Sequence, residues 1–274
     1  MDGLGDRRLA ILGLGKLGGI LLRSFLERGL TRPELVRATV RHDHRAEARR
    51  RDFKVDVQTD NVWAAEWADV ILLCVKPAGV LEVVRSLSPV VGPEKLVISV
   101  AASVTTQYIE QGLGKPVPVI RVMPNTPCSV GCGMTAICRG AHAREEHVEL
   151  TRSLFDAVGR TVIVDEGHFD AVTGLSASGP AFIYIILESL AEAGVKVGLP
   201  REVATLLAAQ TTQGAARVVL ETGSHPALLK DAVTTPAGCT IDGIMELEEG
   251  KLRVTLIKAV MKATQRAKEL VYGA

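Results

Sequence analysis

The amino-acid sequence predicts an α/β fold: a mostly parallel, doubly wound N-terminal sheet followed by an all-helical domain. Short continuous apolar runs recur through the first 165 residues, and helical patterns separate them. Runs without apolar/polar alternation indicate strands covered on both faces, and strand–helix alternation implies parallel strands with crossover helices. Beyond about residue 165 the strand signals stop and long Ala- and Leu-rich stretches take over. The predicted domains are therefore residues 1–165, holding the sheet, and 166–274, holding the helices.

The strands follow in order. The first is Leu9 to Leu14, the second Val36 to Val40 and the third Val70 to Val75; Leu96 to Val100, Val117 to Val122, Met134 to Cys138 and Arg160 to Val164 come after. Between the first two, Leu17, Ile20, Leu21, Leu22, Phe25 and Leu26 step by three and four, with Gly29 just past the end, which describes an amphipathic helix and its stop. In the second domain, Ala181 to Lys196, Arg201 to Glu221, Thr240 to Glu248 and Leu252 to Tyr272 read as helices. Ile183 to Val195 is apolar over most of its surface and needs cover on several sides. Residues 166–274 offer limited cover, so a homodimer through these helices is expected.

Composition narrows the function. The chain has 274 residues, 47% of them hydrophobic and 23% charged, enough for a sizeable core and unlike a disordered protein. Lys plus Arg number 32 and Asp plus Glu 31, a net charge of +1 that gives no reason to expect nucleic acid or an anionic membrane as partner. Apolar stretches are shorter than the ~20 residues of a bilayer span or are broken by charge, and the start carries no secretory signal. Five scattered cysteines, Cys74, Cys128, Cys132, Cys138 and Cys239, suggest free, mostly buried thiols and a cytoplasmic protein. No Cys or His spacing suggests a metal site, and His142 and His147 read as surface residues.

The first strand runs into Gly13-Leu14-Gly15-Lys16-Leu17-Gly18, the G-x-G-x-x-G spacing, between a strand and a helix. Gly13 permits the tight turn, Gly15 lets a pyrophosphate approach the backbone, and Gly18 allows close helix–strand packing, while the helix start supplies free N–H groups. This is the turn of a Rossmann-type dinucleotide domain. An NAD site places an acid after the second strand, for the ribose hydroxyl. Here Arg41 comes first, and Arg41, His42 and Arg45 suit a 2′-phosphate, so NADP is expected. A shifted register would make Asp43 the ribose ligand and the cofactor NAD.

A series of further segments carries ordered motifs. Val75-Lys76-Pro77 is like "VKP", and Ser99-Val100-Ala101-Ala102 like "SxAAG". Arg121 to Pro127 matches "R-x-MPNTP", with Met123, Pro124 and Asn125 at its centre. Asp170 to Ala181 resembles "DAVTGLSGSGPAY", and Gly194 to Pro200 fits "GVKMGLP". His225-Pro226 and Leu229 to Thr240 follow "HPxxLKDxVTSPGGTT". Ordered over almost the whole chain, these motifs resemble those of the pyrroline-5-carboxylate reductase family. The resemblance implies hydride transfer from a nicotinamide to a small cyclic imine carrying a carboxylate, giving proline, and a helical domain that dimerises and often builds larger rings, a decamer among them.

It also assigns residues. Val75, Lys76, Pro77, Ala101, Ala102, Met123, Pro124 and Asn125 would border the cofactor with Gly13, Leu14, Gly15, Lys16, Leu17 and Gly18. Pro236, Ala237, Gly238, Cys239 and Thr240 would receive the substrate, with Thr240 on the ring nitrogen, and Ser176, Ser178 and Gly179 would close the pocket. Read without the family, Thr240 is better taken as a helix N-cap, and Lys76 is equally a solvated loop lysine. Ser103, Ala177 and Ala237 stand where the family has glycine, and Cys239 where it has threonine. These departures motivate one alternative, reduction of a different small cyclic imine; a second alternative is a catalytically silent nucleotide-binding assembly protein, against which the retained Thr240 and the intact Met123 to Pro127 argue. No Ser-His-Asp set or carboxylate pair stands out, which fits an imine protonated by solvent before reduction, with Thr240 bonding the nitrogen.

Overall fold

The computed structural model describes residues 3–270. Its first part alternates β1 (Leu9–Leu12), α1 (Lys16–Glu27), β2 (Val36–Thr39), α2 (Asp43–Phe53), β3 (Asp56–Gln58), α3 (Asn61–Trp67), β4 (Val70–Leu73), α4 (Val80–Leu87), β5 (Leu96–Ser99), α5 (Thr106–Leu113) and β6 (Val119–Met123). Then come β7 (Gly133–Arg139), α6 (Glu145–Asp156) and β8 (Gly159–Ile163). Helices follow: α7 (Phe169–Val172), a π-helical turn Thr173–Ala177, α8 (Gly179–Lys196), α9 (Arg201–Thr222), α10 (Pro226–Ala232), α11 (Cys239–Glu249) and α12 (Leu252–Glu269).

The strands form one sheet in the order β3-β2-β1-β4-β5-β6-β7-β8. β1 to β6 are parallel; β7 runs antiparallel to β6, with Arg121 opposite Cys138, and β8 runs parallel to β7. Strand order reverses between β1 and β4, which opens the crevice where ligands bind in such sheets. Successive side chains of a strand point to opposite faces, and the core divides accordingly. Leu9 and Ile11 pack on one face with Leu22, Phe25 and Phe155, while Ala10 and Leu12 pack on the other with Val80, Leu87 and Ile109. Phe25 and Phe155 meet edge to face, with centroids 6.1 Å apart.

Local signals explain the boundaries. Pro118 cannot join a ladder through its nitrogen, so the predicted run from Val117 becomes a strand only at Val119. α1 closes with Gly29 at φ +69°, where Gly29 N donates to Leu26 O and Leu30 N to Phe25 O, two bonds that satisfy its last carbonyls. β3, α7 and α10 lie outside the sequence reading. β3 has a single buried residue, Val57, α7 four residues and α10 seven, too short for either periodicity. β8 departs from the expectation of two covered faces: Val162 and Ile163 are 41% and 55% exposed at the sheet edge. The predicted end of the last helix at Tyr272 lies outside the described residues.

By compactness the chain divides into two units. One runs to Ser178 and takes up the chain again from Lys262; the other is Gly179–Met261. In the second, only Ala191, Ala204 and Ala208 are buried among the described residues. α8 and α9 approach closely there: a Cβ on Gly194 would lie 2.7 Å from that of Ala204. Large apolar side chains such as Ile185, Leu206 and Met245 are more than 60% exposed. The helical run Glu166–Lys196 has 31 residues and a mean hydropathy of 1.3 over its most apolar window, long and apolar enough to cross a membrane by those two measures. This corrects the sequence reading that every apolar stretch is too short or broken by charge.

Candidate active site

The turn after β1 is built by its glycines. Gly13 has φ +99°, and a Cβ there would lie 2.9 Å from the Cys74 carbonyl carbon and oxygen, so β4 leaves no room for a side chain. A Cβ on Gly18 would come within 2.7 Å of Gly13 O, whereas Gly15 has nothing nearer than that same oxygen at 4.0 Å and is exposed. Leu14 is buried, and its N–H donates to Thr39 O at 2.6 Å. Gly15 N–H turns back onto Gly13 O, and the first helical bond of α1 is Gly19 N to Gly15 O. No side chain caps α1, so the N–H groups of Lys16, Leu17 and Gly18 are its orphan donors. Leu17 itself packs against the core and Lys16 is exposed. A cavity of about 350 Å³ beside this turn is lined by Lys16, Arg23, Arg49 and Phe53, with no acid. A larger one, about 640 Å³, lies at the amino ends of β2 and β3, on the edge of the sheet away from the crevice, and takes no part in this site.

At the end of β2, Thr39 is engaged on both sides: its hydroxyl donates to Asn61 Oδ1 at 2.7 Å and accepts from Gly13 N at 3.2 Å. Arg41, His42 and Arg45 are exposed around the start of α2, with His42 stacked on His44 at 5.5 Å. Asp43 opens α2 and accepts from the Thr59 hydroxyl at 3.3 Å. Past β4, Val75 packs on the core, Lys76 is exposed and Pro77 opens a 3-10 turn.

The loop after β5 and the end of β6 are held by a buried charge network. Arg121, 3% exposed, donates to Glu166 Oε1 at 3.1 Å and lies 4.5 Å over the Phe169 ring. The same carboxylate accepts from Thr106 N at 2.8 Å and from its hydroxyl at 2.9 Å, joining β6, the start of α5 and the connector after β8. Met123 is buried with Ala136, Cys138 and Phe169, and Ala102 and Ala177 pack against that cluster. Pro124 is buried beside it in sequence. Asn125 braces the turn that follows: its Oδ1 accepts from Met134 N at 2.9 Å, and its Nδ2 donates to Ser176 O at 3.2 Å and more weakly to Ser176 Oγ at 3.5 Å. The π-helical turn ends with Ser178 N on Thr173 O at 3.0 Å, and Gly179 starts α8.

In the helical unit, Gly238 is the N-cap of α11 and Thr240 its second helical residue, which corrects the reading of Thr240 as a cap. Among the described residues the Thr240 hydroxyl has no hydrogen-bond partner, whereas those of Thr205, Thr212 and Thr234 return to carbonyls four residues earlier. Gly238 N–H is spent on Thr235 O and Pro236 has none, which leaves the N–H groups of Cys239 and Thr240 at the helix start. Ala237 holds φ +58°, and Ser103 holds φ +59°. Both family-glycine positions thus keep a left-handed backbone despite a side chain, while Ala177 is helical and its methyl packs inward.

The cysteines are free, but only in part as expected: Cys128 and Cys138 are buried, and Cys132 and Cys239 are exposed. Burial pushes the Cys74 and Cys138 thiols up to about 12, so neither is a thiolate at neutral pH. His147 is half-buried rather than a surface residue. Its Nδ1 accepts from Arg144 N at 2.9 Å, and burial lowers its pKa.

Residues 166–270 match the family model described as pyrroline-5-carboxylate reductase dimerisation, and residues 8–103 match one described as NADP oxidoreductase, coenzyme F420-dependent. A pyrroline-5-carboxylate reductase of Methanosarcina acetivorans is 40% identical over 265 residues, covering 97% of this chain and 98% of that one. This chain belongs to the pyrroline-5-carboxylate reductase family. Among solved pyrroline-5-carboxylate reductases, that of Coxiella burnetii superposes with a TM-score of 0.88 at 36% identity, over 97% of this chain and 99% of that one. The pyrroline carboxylate reductase of Plasmodium falciparum, solved with NADP bound, gives 0.88 at 28% identity, over 97% and 98%. Sequence reasoning missed Glu166 and the Thr39–Asn61 pair. A charge in the middle of a buried strand, as at Arg121, demands a partner and was the available signal for Glu166; a threonine ending a strand gave none for Asn61.

Proposed function

We propose that this chain reduces 1-pyrroline-5-carboxylate to L-proline with NADPH, by hydride transfer to the imine carbon. The agreement with pyrroline-5-carboxylate reductases over nearly the whole length carries the reading. The residues present fit a dinucleotide: the Gly13 cradle excludes any side chain, Gly15 is open, and three uncapped N–H groups begin α1. The NADP in the Plasmodium relative supports NADP here, as do exposed Arg41, His42 and Arg45. When bound, the cofactor supplies the hydride. The protein supplies position: Lys16, Leu17 and Gly18 N–H groups for the diphosphate, and the Val75–Pro77, Ala101–Ala102 and Met123–Pro124 backbones for the nicotinamide half. Asn125, with its amide already committed, acts as the brace behind them.

On the substrate side, the N–H groups of Cys239 and Thr240 receive the carboxylate, and the free Thr240 hydroxyl bonds the ring nitrogen. Ser176, Ser178 and Gly179 border the imine. Thr240→Ala is expected to lower kcat/KM by about 100-fold with the NADPH affinity kept; unchanged turnover would remove Thr240 from the site. Turnover of another cyclic imine but not this one would shift the substrate and keep the chemistry. Binding of NADPH with no imine turned over would favour the assembly-protein reading.

The dimerisation-domain match supports self-association. The proposed dimer covers the exposed apolar faces of α8, α9 and α11, which also accounts for the apolar Glu166–Lys196 run without a bilayer. Dimers are the proposed units of a larger ring such as a decamer, working in the cytoplasm without nucleic acid or membrane. Light scattering showing a monomer at micromolar concentration would overturn the assembly.

A further inference from the structure

We propose that Ser103 is a positioning residue for the nicotinamide half of the cofactor, acting through a hydrogen bond to the last helix. Its hydroxyl donates to Ala267 O at 2.9 Å across 164 residues of sequence, and both residues are buried. Ser103 lies in the loop between β5 and α5, one residue after Ala102. That loop is held along its length: Val100 N donates to Leu73 O, Ala101 N to Ser99 Oγ, Ser103 Oγ to Ala267 O and Thr106 N to Glu166 Oε1. The first two lie before Ala102 and the last at the start of the next helix. Among the described residues Ser103 alone fixes the turn itself, and it does so in a left-handed conformation that a residue with a side chain rarely adopts. Ala267 O, in the last turn of α12, accepts this hydroxyl at 2.9 Å beside a longer bond from Leu270 N at 3.3 Å, so the hydroxyl is its shorter partner and ties the loop to the helix end. Ala102 packs against the cluster that holds Met123, so a shift of the turn reaches residues placed beside the nicotinamide.

The proposal rests on the cofactor reading above, and its test separates the two. NADPH affinity is measured by nicotinamide fluorescence, beside melting temperature and steady-state rates, for the wild type, Ser103→Ala and Ser103→Gly. Glycine removes the hydroxyl but suits the left-handed backbone, so it isolates the hydrogen bond from folding strain. The expected result is a Ser103→Gly protein that melts no lower than wild type yet binds NADPH about tenfold more weakly, a coupling of 1.4 kcal/mol. Its kcat is expected to fall while KM for the imine stays. Ser103→Ala should show the same loss of affinity, with a lower melting temperature. If Ser103→Gly keeps wild-type affinity and kcat, the role is structural and the proposal is overturned. If wild type binds neither NADPH nor NADH, the cofactor reading falls and the proposal with it.

Discussion

At the scale of single residues, four described side chains sit where the backbone favours glycine, on Lys54, Ser103, Ala237 and Lys251, and two of these, Ser103 and Ala237, differ in what they receive for it. Ser103 gains a hydrogen bond, whereas Ala237, exposed and at φ +58°, gains no polar contact. A left-handed residue costs about 1–2 kcal/mol, and glycine returns about 0.4–1 kcal/mol of that to the unfolded chain. Ala237→Gly should therefore raise stability by about 1 kcal/mol, read as a higher denaturant midpoint at constant slope. The resemblance marked Ser103 and Ala237 as positions that favour glycine. Whether their backbones moved or stayed was not legible in the sequence, because φ at one residue is set by contacts such as the reach to Ala267 that no local pattern encodes.

At the scale of elements, the β1–α1 turn separates folding from binding. Gly15→Ala adds a methyl in open space and should leave the melting temperature alone while weakening NADPH by about tenfold or more, if the pyrophosphate sits there as proposed. Gly13→Ala puts a methyl against the Cys74 carbonyl and should lower both, as followed by thermal melting and cofactor titration. The amino ends of β1 and β4 are stapled by Arg8, whose N, Nε and Nη2 all donate to the Asp69 carboxylate. The side-chain bond to Arg8 is the main cause that holds the Asp69 pKa below its ordinary value. The carboxylate therefore adds stability that is fully present above about pH 4, its unfolded range, and is lost as the pH falls through the lower folded value. Both side chains are more than a third exposed, so the contribution is under about 1 kcal/mol. Urea midpoints of wild type and Asp69→Asn should differ at pH 7 and converge in acid. Strands buried on both faces announced themselves by composition; β3 and β8 are edge strands with one solvated side, and their weak or misleading signals follow from that.

At the scale of the whole molecule, the helical unit keeps little of its apolar surface to itself. Ile185, 63% exposed on α8, belongs to the face assigned to the partner, and Ile185→Glu should shift the light-scattering mass toward monomer or aggregate. A sheet followed by helices was readable from the sequence, since the continuous apolar runs stop near residue 165 and long Ala- and Leu-rich stretches take over. The return of the chain was not, because compactness depends on which distant surfaces meet. α12 begins in the unit of Gly179–Met261 and finishes in the other, so the helical unit is inserted into the first rather than appended to it. An inserted unit has two seams. Recombination that grafted a foreign tail after Ser178 would carry off the helix end that receives the Ser103 hydroxyl, so a viable hybrid must exchange the segment at both seams and leave the native final turns in place.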